Sequence, residues 1–333
     1  VMIPSMLKAA GYATASVGKW GQMSFGPGEW GFDEYLVFPG SGRYWRDQTK
    51  TYRLNGQTKE LPEGTYLPDL MHSFLADFIT RNKDKPFFVY YPMSHVHGPI
   101  VKTPDTQDGA SKEQLYADNV AYMDKLVGKL MDELERQKLR ERTLVIFLGD
   151  NGTARFGVDA AKVDGRAISG NKGSMLEGGS RVPCIASWKG TAPEGRVLKD
   201  LVDFSDIFVS AAELAGAKLP EGVKLDGHSF VQQLRGEKGI PREWIYVQLG
   251  AKWYVREQSF QLTQSGELFD MADAPFAEKS VAADDTRDTV KAARTRLQAA
   301  LDQLSPSGKP DAKAGKKAKK GKKTKGVKKG LQI

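Results

Sequence analysis

The chain has 333 residues, 40% of them hydrophobic and 27% charged, enough to bury a sizeable core as one large α/β domain plus a smaller one. The net charge of +8 belongs to a tail: eleven lysines and one acid, Asp311, follow Ser305, whereas the body carries 38 basic and 40 acidic residues, so charge gives nucleic-acid binding by the body no support. A single cysteine, Cys184, excludes an intramolecular disulfide and a Cys/His zinc cluster, and no run of about 18 apolar residues offers a transmembrane helix.

The chain opens at Val1, without an initiator methionine, and reads straight into a helix over residues 4–10 closed by Gly11. Such a start is expected of a fragment, in which a missing signal segment carries no information. Residues 12–17 read as a short strand ending in Gly18-Lys19-Trp20-Gly21. Residues 22–65 are rich in glycine, aromatics and turns, and read as a long surface excursion with a hairpin around Asn55-Gly56. Helical spacing of Leu70, Phe74 and Phe78 predicts a helix over 67–82. Residues 87–91 read as a buried strand running into the segment Pro92–Pro99, which holds His95 and His97.

A long amphipathic helix is predicted over 112–139 from Leu115, Val120, Met123, Leu126, Val127, Leu130 and Leu134. Residues 143–148 form the next strand, ending in Gly149-Asp150-Asn151-Gly152; a Gly-rich irregular loop spans 153–180, a strand 182–188 and a helix 206–215. Strands alternating with helices predict an α/β fold around a central, mainly parallel sheet flanked by helices. From about residue 236 the texture changes to short strands at 244–247, 252–255, 258–262 and 267–269, a small antiparallel sheet, then a helix over 285–304. The domains expected are therefore 1–235, an α/β domain, and 236–304, a small α+β subdomain, followed by a disordered Lys-rich tail, 305–333.

The chemistry gathers at strand ends. An Asp beside an Asn offers hard oxygen donors suited to Ca²⁺ or Mg²⁺, while the same Asn151-Gly152 pair also reads as an ordinary Asx turn. Lys19, then His97, then Asp150 and Asn151 follow three successive strands, and Lys172 lies in the loop after the third. In an open α/β sheet such ends converge on one rim. Two lysines, a histidine and a divalent cation make a site for a multiply charged oxyanion, although each residue alone reads equally as a solvated loop side chain.

Gly11-Tyr-Ala-Thr-Ala-Ser-Val-Gly-Lys-Trp20 closely resembles the G-Y-x-T-x-x-x-G-K-W-H signature of the formylglycine-dependent sulfatases, the arylsulfatase-like family. Gly31-Phe-Asp33, the run Pro86–Tyr90 followed by His97-Gly98-Pro99, and Tyr122-Met-Asp124 follow in family order. Asp150-Asn-Gly152, Lys172, Glu177-Gly-Gly-Ser-Arg181, Leu225-Asp-Gly227 and Glu267-Leu-Phe-Asp270 complete the series, so the resemblance covers roughly residues 1–280. It implies an alkaline-phosphatase-like sandwich with a small C-terminal antiparallel sheet, and hydrolysis of sulfate esters on small molecules or sulfated glycans. It also implies Ca²⁺, alternatively Mg²⁺, and a periplasmic or secreted location. By motif position Asp150 and Asn151 are metal ligands, Lys19, His97 and Lys172 bind the sulfate, and Lys19 and His97 act in catalysis, His97 as proton donor to the leaving oxygen.

Two departures stand out. The family's C/S-x-P-S-R motif, whose Cys or Ser becomes the formylglycine nucleophile, has no counterpart; Met2-Ile-Pro-Ser-Met6 lacks both the Cys and the Arg, and Cys184 reads as strand packing. The resemblance places that motif and an early pair of metal-binding acids in a segment upstream of this chain, which as it stands is expected to be inactive. Gly21 also stands where the family signature has histidine. The alternatives are a phosphodiester or phosphonate monoester hydrolase of the same fold, and a non-catalytic binder of sulfated glycans. The tail reads as a solvated extension or as a polyanion-binding segment.

Overall fold

The computed structural model describes residues 1–21, 23–160 and 162–304; the Lys-rich tail lies outside the described residues. Helix α1 (Ile3–Ala9), started by Pro4 in its first turn, leads through Gly11 at φ 88° into β1 (Ala13–Lys19). Proline is favoured there because its missing N–H would be unpaired in any case. Strand β1 is central, with Ala15 and Val17 fully buried. β2 (Glu34–Phe38) pairs with it in parallel, Val17 opposite Leu36. β3 (Thr51–Leu54) and β4 (Gln57–Glu60) close the edge as an antiparallel hairpin. Its turn, Asn55 at φ 47° and Gly56 at φ 85°, needs two left-handed residues, which Asn-Gly supplies.

Helix α2 (Leu67–Asn82) returns the chain to β5 (Phe87–Tyr90), parallel to β1 on its other side. The order β4-β3-β2-β1-β5 makes the sheet mixed, a parallel centre extended by an antiparallel hairpin. Helix α3 (Lys112–Arg136) is capped by Ser111, whose hydroxyl accepts from the Gln114 amide, and leads to β6 (Val145–Leu148). A short hairpin, β7 (Lys162–Val163) and β8 (Arg166–Ala167), and a single turn α4 (Glu177–Ser180) follow. β9 (Cys184–Ser187) then pairs antiparallel with β6 as a separate two-stranded sheet.

Successive residues of a strand face opposite sides, and β5 shows what covers each. Phe87 and Val89 pack with Val17, Leu36 and Phe38 against Leu67, Met71, Leu75 and Ile79 of α2 and Leu134 of α3. Phe88 packs on the opposite face with Met6 and Leu7 of α1 and Ala212 of α5 (Phe204–Ala215). Helices thus cover both faces of the sheet, as the family resemblance implies. Truncating a fully buried aliphatic such as Leu75 in this layer costs roughly 2–5 kcal/mol.

Helix α5 starts with a capping box between Asp203 and Asp206, and Asp206 also meets the buried Arg242 guanidinium. After α6 (Val231–Leu234) come β10 (Ile245–Leu249), β11 (Lys252–Arg256), β12 (Phe260–Thr263), β13 (Leu268–Asp270) and β14 (Lys279–Val281), an antiparallel meander. Its apolar face, Val255, Leu262 and Leu268, closes on Val290, Leu297 and Leu301 of α7 (Asp288–Leu304). No helix of the described residues is long and apolar enough to cross a membrane.

Three expectations change. Residues 22–65 are not a surface excursion: Leu36, Val37 and Phe38 are core, and Tyr44 and Leu61 are fully buried. A single strand buried by long-range pairing carries no alternation to reveal it. Strand β5 is only half-buried, and Tyr90 is exposed. Cys184 does sit in a strand but is exposed, as is Ile185 beside it, because β9 is paired only through β6.

Candidate active site

The first strand end is fixed by close backbone approach. A Cβ at Gly18, where φ is 130°, would lie 2.1 Å from the Pro92 carbonyl oxygen, so only glycine fits. The next amide, Lys19 N, donates to that same oxygen at 2.9 Å. Lys19 and the start of the His95–His97 loop are thereby locked together. Thr14 and Asp33, from the first two signature motifs, tie β1 to the start of β2: the Asp33 Oδ2 accepts from both the Thr14 amide and hydroxyl, at 2.9 and 3.0 Å.

The histidine loop rests on Tyr44. Its hydroxyl reaches the carbonyl oxygens of Ser94 and His97 at 3.0 and 2.8 Å. Ser94 Oγ donates to the Arg43 carbonyl at 2.9 Å, and a Cβ on Gly42 would lie 2.2 Å from the Gly98 oxygen. Burial pushes the Tyr44 phenol well above its ordinary range, which keeps it a donor. His95 is turned inward, its Nε2 2.8 Å from the Tyr66 hydroxyl, and burial holds its pKa down at about 4. His97 is turned outward and is exposed. Its Nδ1 lies 2.7 Å from the Gly98 carbonyl. A carbonyl only accepts, so Nδ1 carries the hydrogen, and Nε2 is left as the atom that takes up or releases a proton.

The third strand end is held by the loop that follows it. Gly152 N donates to the Gly179 oxygen at 3.1 Å, and a Cβ on Gly152 would collide with the Gly178 oxygen at 1.7 Å. Asn151 Nδ2 turns back to the Gly152 carbonyl at 3.0 Å, which leaves Oδ1 as its outward acceptor. Asp150 is exposed, and burial together with the Asp150 charge raises the Tyr90 phenol above its ordinary value. Lys172 N donates to the Thr153 carbonyl at 2.9 Å. Phe156, further along the same segment, touches Gly98 next to His97.

Lys19, His97, Asp150, Asn151 and Lys172 therefore sit on backbone segments linked one to the next. Among the described residues no hydrogen bond or ion pair joins their side chains to one another. Nor do three His, Cys, Asp or Glu residues there form a group able to hold a metal. Asp150 and Asn151 supply oxygen donors of the right kind for a hard cation, but two residues fall short of the roughly six to eight ligands of Ca²⁺. The formylglycine chemistry has no residue to build on in this segment: Met2 stands where the motif's Cys or Ser would, and a thioether side chain cannot become formylglycine. Tyr44 and Phe156 were not legible as site residues, since only their long-range contacts mark them.

The sulfatase family model matches residues 1–217. The chain belongs to the sulfatase family. It is 34% identical over 198 residues to arylsulfatase D of Homo sapiens, covering 56% of this chain and 33% of that protein. It is 29% identical over 273 residues to N-acetylgalactosamine-6-sulfatase of Canis lupus familiaris, covering 74% and 50%. The chain thus spans half or less of the length of these curated relatives. Among solved structures, Ps i-CgsB in complex with k-i-k-neocarrahexaose superposes with a TM-score of 0.74 at 26% identity, covering 92% of this chain and 74% of that one. The alkaline-phosphatase-like α/β architecture of these sulfatases, with its C-terminal antiparallel sheet, is the architecture of this chain.

Proposed function

We propose that this protein acts on sulfate esters, with Lys19, His97 and Lys172 around the oxyanion. The observation that carries this reading is the His97 Nδ1–Gly98 carbonyl bond, which commits one ring nitrogen and presents the other outward. A protonated Nε2 is the group that would supply the proton a departing alcohol oxygen needs to leave neutral. The Lys19 and Lys172 ammonium groups balance the charge on the remaining sulfate oxygens. Asp150 and Asn151 are the residues that would contribute oxygen donors to a divalent cation, Ca²⁺ or alternatively Mg²⁺, which when bound polarises a sulfate oxygen. No nucleophile is assigned, and the formylglycine expected of the family enters no step.

By analogy with the relatives' names, the substrate class is a sulfated sugar or small sulfate ester, and a periplasmic or secreted location follows from the family. A second reading, a sulfated-glycan binder without turnover, is favoured by Gly21. A Cβ there would meet, among the described residues, only the Gly40 amide nitrogen at 3.5 Å, so crowding does not account for a glycine in place of the histidine.

Calorimetric titration with N-acetylgalactosamine 6-sulfate, in Ca²⁺, tests the shared part of both readings. Binding should weaken by roughly ten- to a hundredfold in Lys172→Ala and in His97→Ala, as loss of a charged hydrogen bond predicts. Equal affinity in wild type and both variants overturns the site. Tighter binding of the corresponding phosphate ester supports the phosphohydrolase alternative instead.

A further inference from the structure

An aromatic side chain stands at the rim of this site with no role in the chemistry just described. Phe156 is 54% exposed, although it lies in a short 3-10 helix, Arg155–Ala160, only a few residues past Asn151. Its position is built rather than loose. The ring edge abuts Gly98, where an added Cβ would lie 3.3 Å from it. From α3, Tyr116 supports it edge-on, with ring centroids 5.9 Å apart and planes at 76°. The neighbouring Gly157 lets the backbone close onto Tyr116, for a Cβ there would sit 2.6 Å from the phenol carbon. Glycine at Gly98 and Gly157 thus allows the ring to sit between the His97 loop and Tyr116 of α3.

We infer that Phe156, backed by Tyr116, is the wall of a subsite for the sugar ring that carries the sulfate ester; this rests on the sulfate-ester reading above. His97 holds the proton donor of that reading, and Phe156 abuts the next residue, Gly98, so the ring stands within reach of the group attached to the leaving oxygen. A pyranose has an apolar face of C–H bonds. Those hydrogens, slightly positive, match the negative face of an aromatic ring, and stacking them removes apolar surface of both partners from water. The usual composition of a ligand pocket, an aromatic wall beside a few convergent polar groups, is then met with residues of one rim.

The test compares two ligands of the same anion, inorganic sulfate and N-acetylgalactosamine 6-sulfate, by calorimetry on wild type, Phe156→Ala and Phe156→Trp. Phe156→Ala should lose roughly three- to tenfold in affinity for the sugar sulfate and keep its affinity for inorganic sulfate, and Phe156→Trp should restore the sugar affinity. Thermal unfolding of each variant checks that the fold is intact, as expected for a side chain more than half exposed. Equal losses for both ligands in Phe156→Ala would show that the ring only props the His97 loop and would overturn the subsite, as would no loss for either. Wild type that binds inorganic sulfate but the sugar sulfate no more tightly defeats the subsite alone. Wild type that binds neither ligand defeats the oxyanion reading and the subsite with it.

Discussion

The Glu177 carboxylate lies 3.1 Å from Arg256 Nε, and both side chains are buried, at 3% and 9% exposure. This pair joins the Lys172 loop to strand β11 of the C-terminal meander. Around it the Glu177 amide donates to Glu278 Oε1 at 2.8 Å, and Ser180 Oγ meets the Tyr254 hydroxyl at 2.7 Å. The Arg256 Nε–H is not aimed along a hydrogen bond, so attraction between charges dominates the contact. Arg181 reaches the second Glu177 oxygen at 3.1 Å from a more exposed position.

Removing one member of a buried pair leaves the other desolvated and uncompensated, at a cost of roughly 3–5 kcal/mol. Glu177→Ala should lower the urea midpoint accordingly, and it should also weaken sulfate binding, because Gly178 and Gly179 hold Gly152 and the Asp150 strand end. Arg181→Ala, at the exposed end, should cost no more than about 1 kcal/mol. Equal effects of the two substitutions would contradict the assignment of the buried contact.

Two glycines of the first signature should behave differently. Gly18→Ala forces a Cβ onto the Pro92 oxygen and demands a left-handed side-chain residue, so the variant should fold poorly or lose several kcal/mol. Gly21→Ala meets only ordinary contact among the described residues and should leave the unfolding midpoint close to wild type. A strongly destabilised Gly21→Ala would show that the position is constrained in a way its surroundings do not reveal.

The contrast shows what a sequence carries. Helix α2 was readable over Leu67–Asn82 because Leu70, Phe74 and Phe78 repeat at four and its partner face is uniformly apolar. The candidate site residues Lys19, His97, Asp150, Asn151 and Lys172 were nameable from motifs that sit at strand ends and in the loop after β6. Strand β2 was not, since Tyr35–Phe38 is a short apolar run whose burial comes from pairing with β1, Val17 opposite Leu36. Nor were Tyr44, Arg256 and Phe156, whose meaning lies in contacts with Ser94, Glu177 and Gly98. Strand β14 escaped for a related reason: Lys279–Val281 is a three-residue edge with one buried side chain.

His95 predicts a pH dependence of stability. It is enclosed by the rings of Tyr44, Tyr66 and Tyr122, with Asp69 accepting from the Tyr122 hydroxyl beyond them. Burial lowers its pKa to about 4, against an ordinary value of 6.5. The folded state therefore binds fewer protons than the unfolded state between these values. The stabilisation is complete above about pH 6.5 and is lost as pH falls toward 4, by about 3 kcal/mol in all. Urea unfolding from pH 7.5 to 4.5 should show this slope, and His95→Gln, which keeps a partner for Tyr66, should flatten it. An unchanged slope in His95→Gln would assign the dependence to carboxylates instead.

Divalent-metal binding gives the last expectation. Asp150 and the Asn151 Oδ1 offer a hard cation two side chains, which leaves most of its coordination to water. Affinity should accordingly be weak, in the range of about 10⁻⁴–10⁻³ M. Millimolar Ca²⁺ should then raise the thermal unfolding midpoint of the wild type modestly, by mass action on the folded state alone. Asp150→Ala should abolish that shift without lowering the metal-free midpoint, because the exposed carboxylate makes no hydrogen bond among the described residues. Replacing Ca²⁺ with Mg²⁺ should give a smaller shift, since the smaller ion demands octahedral geometry and releases water reluctantly. A wild-type midpoint that ignores both ions would remove Asp150 and Asn151 from any metal role in this chain and return Asn151-Gly152 to a turn.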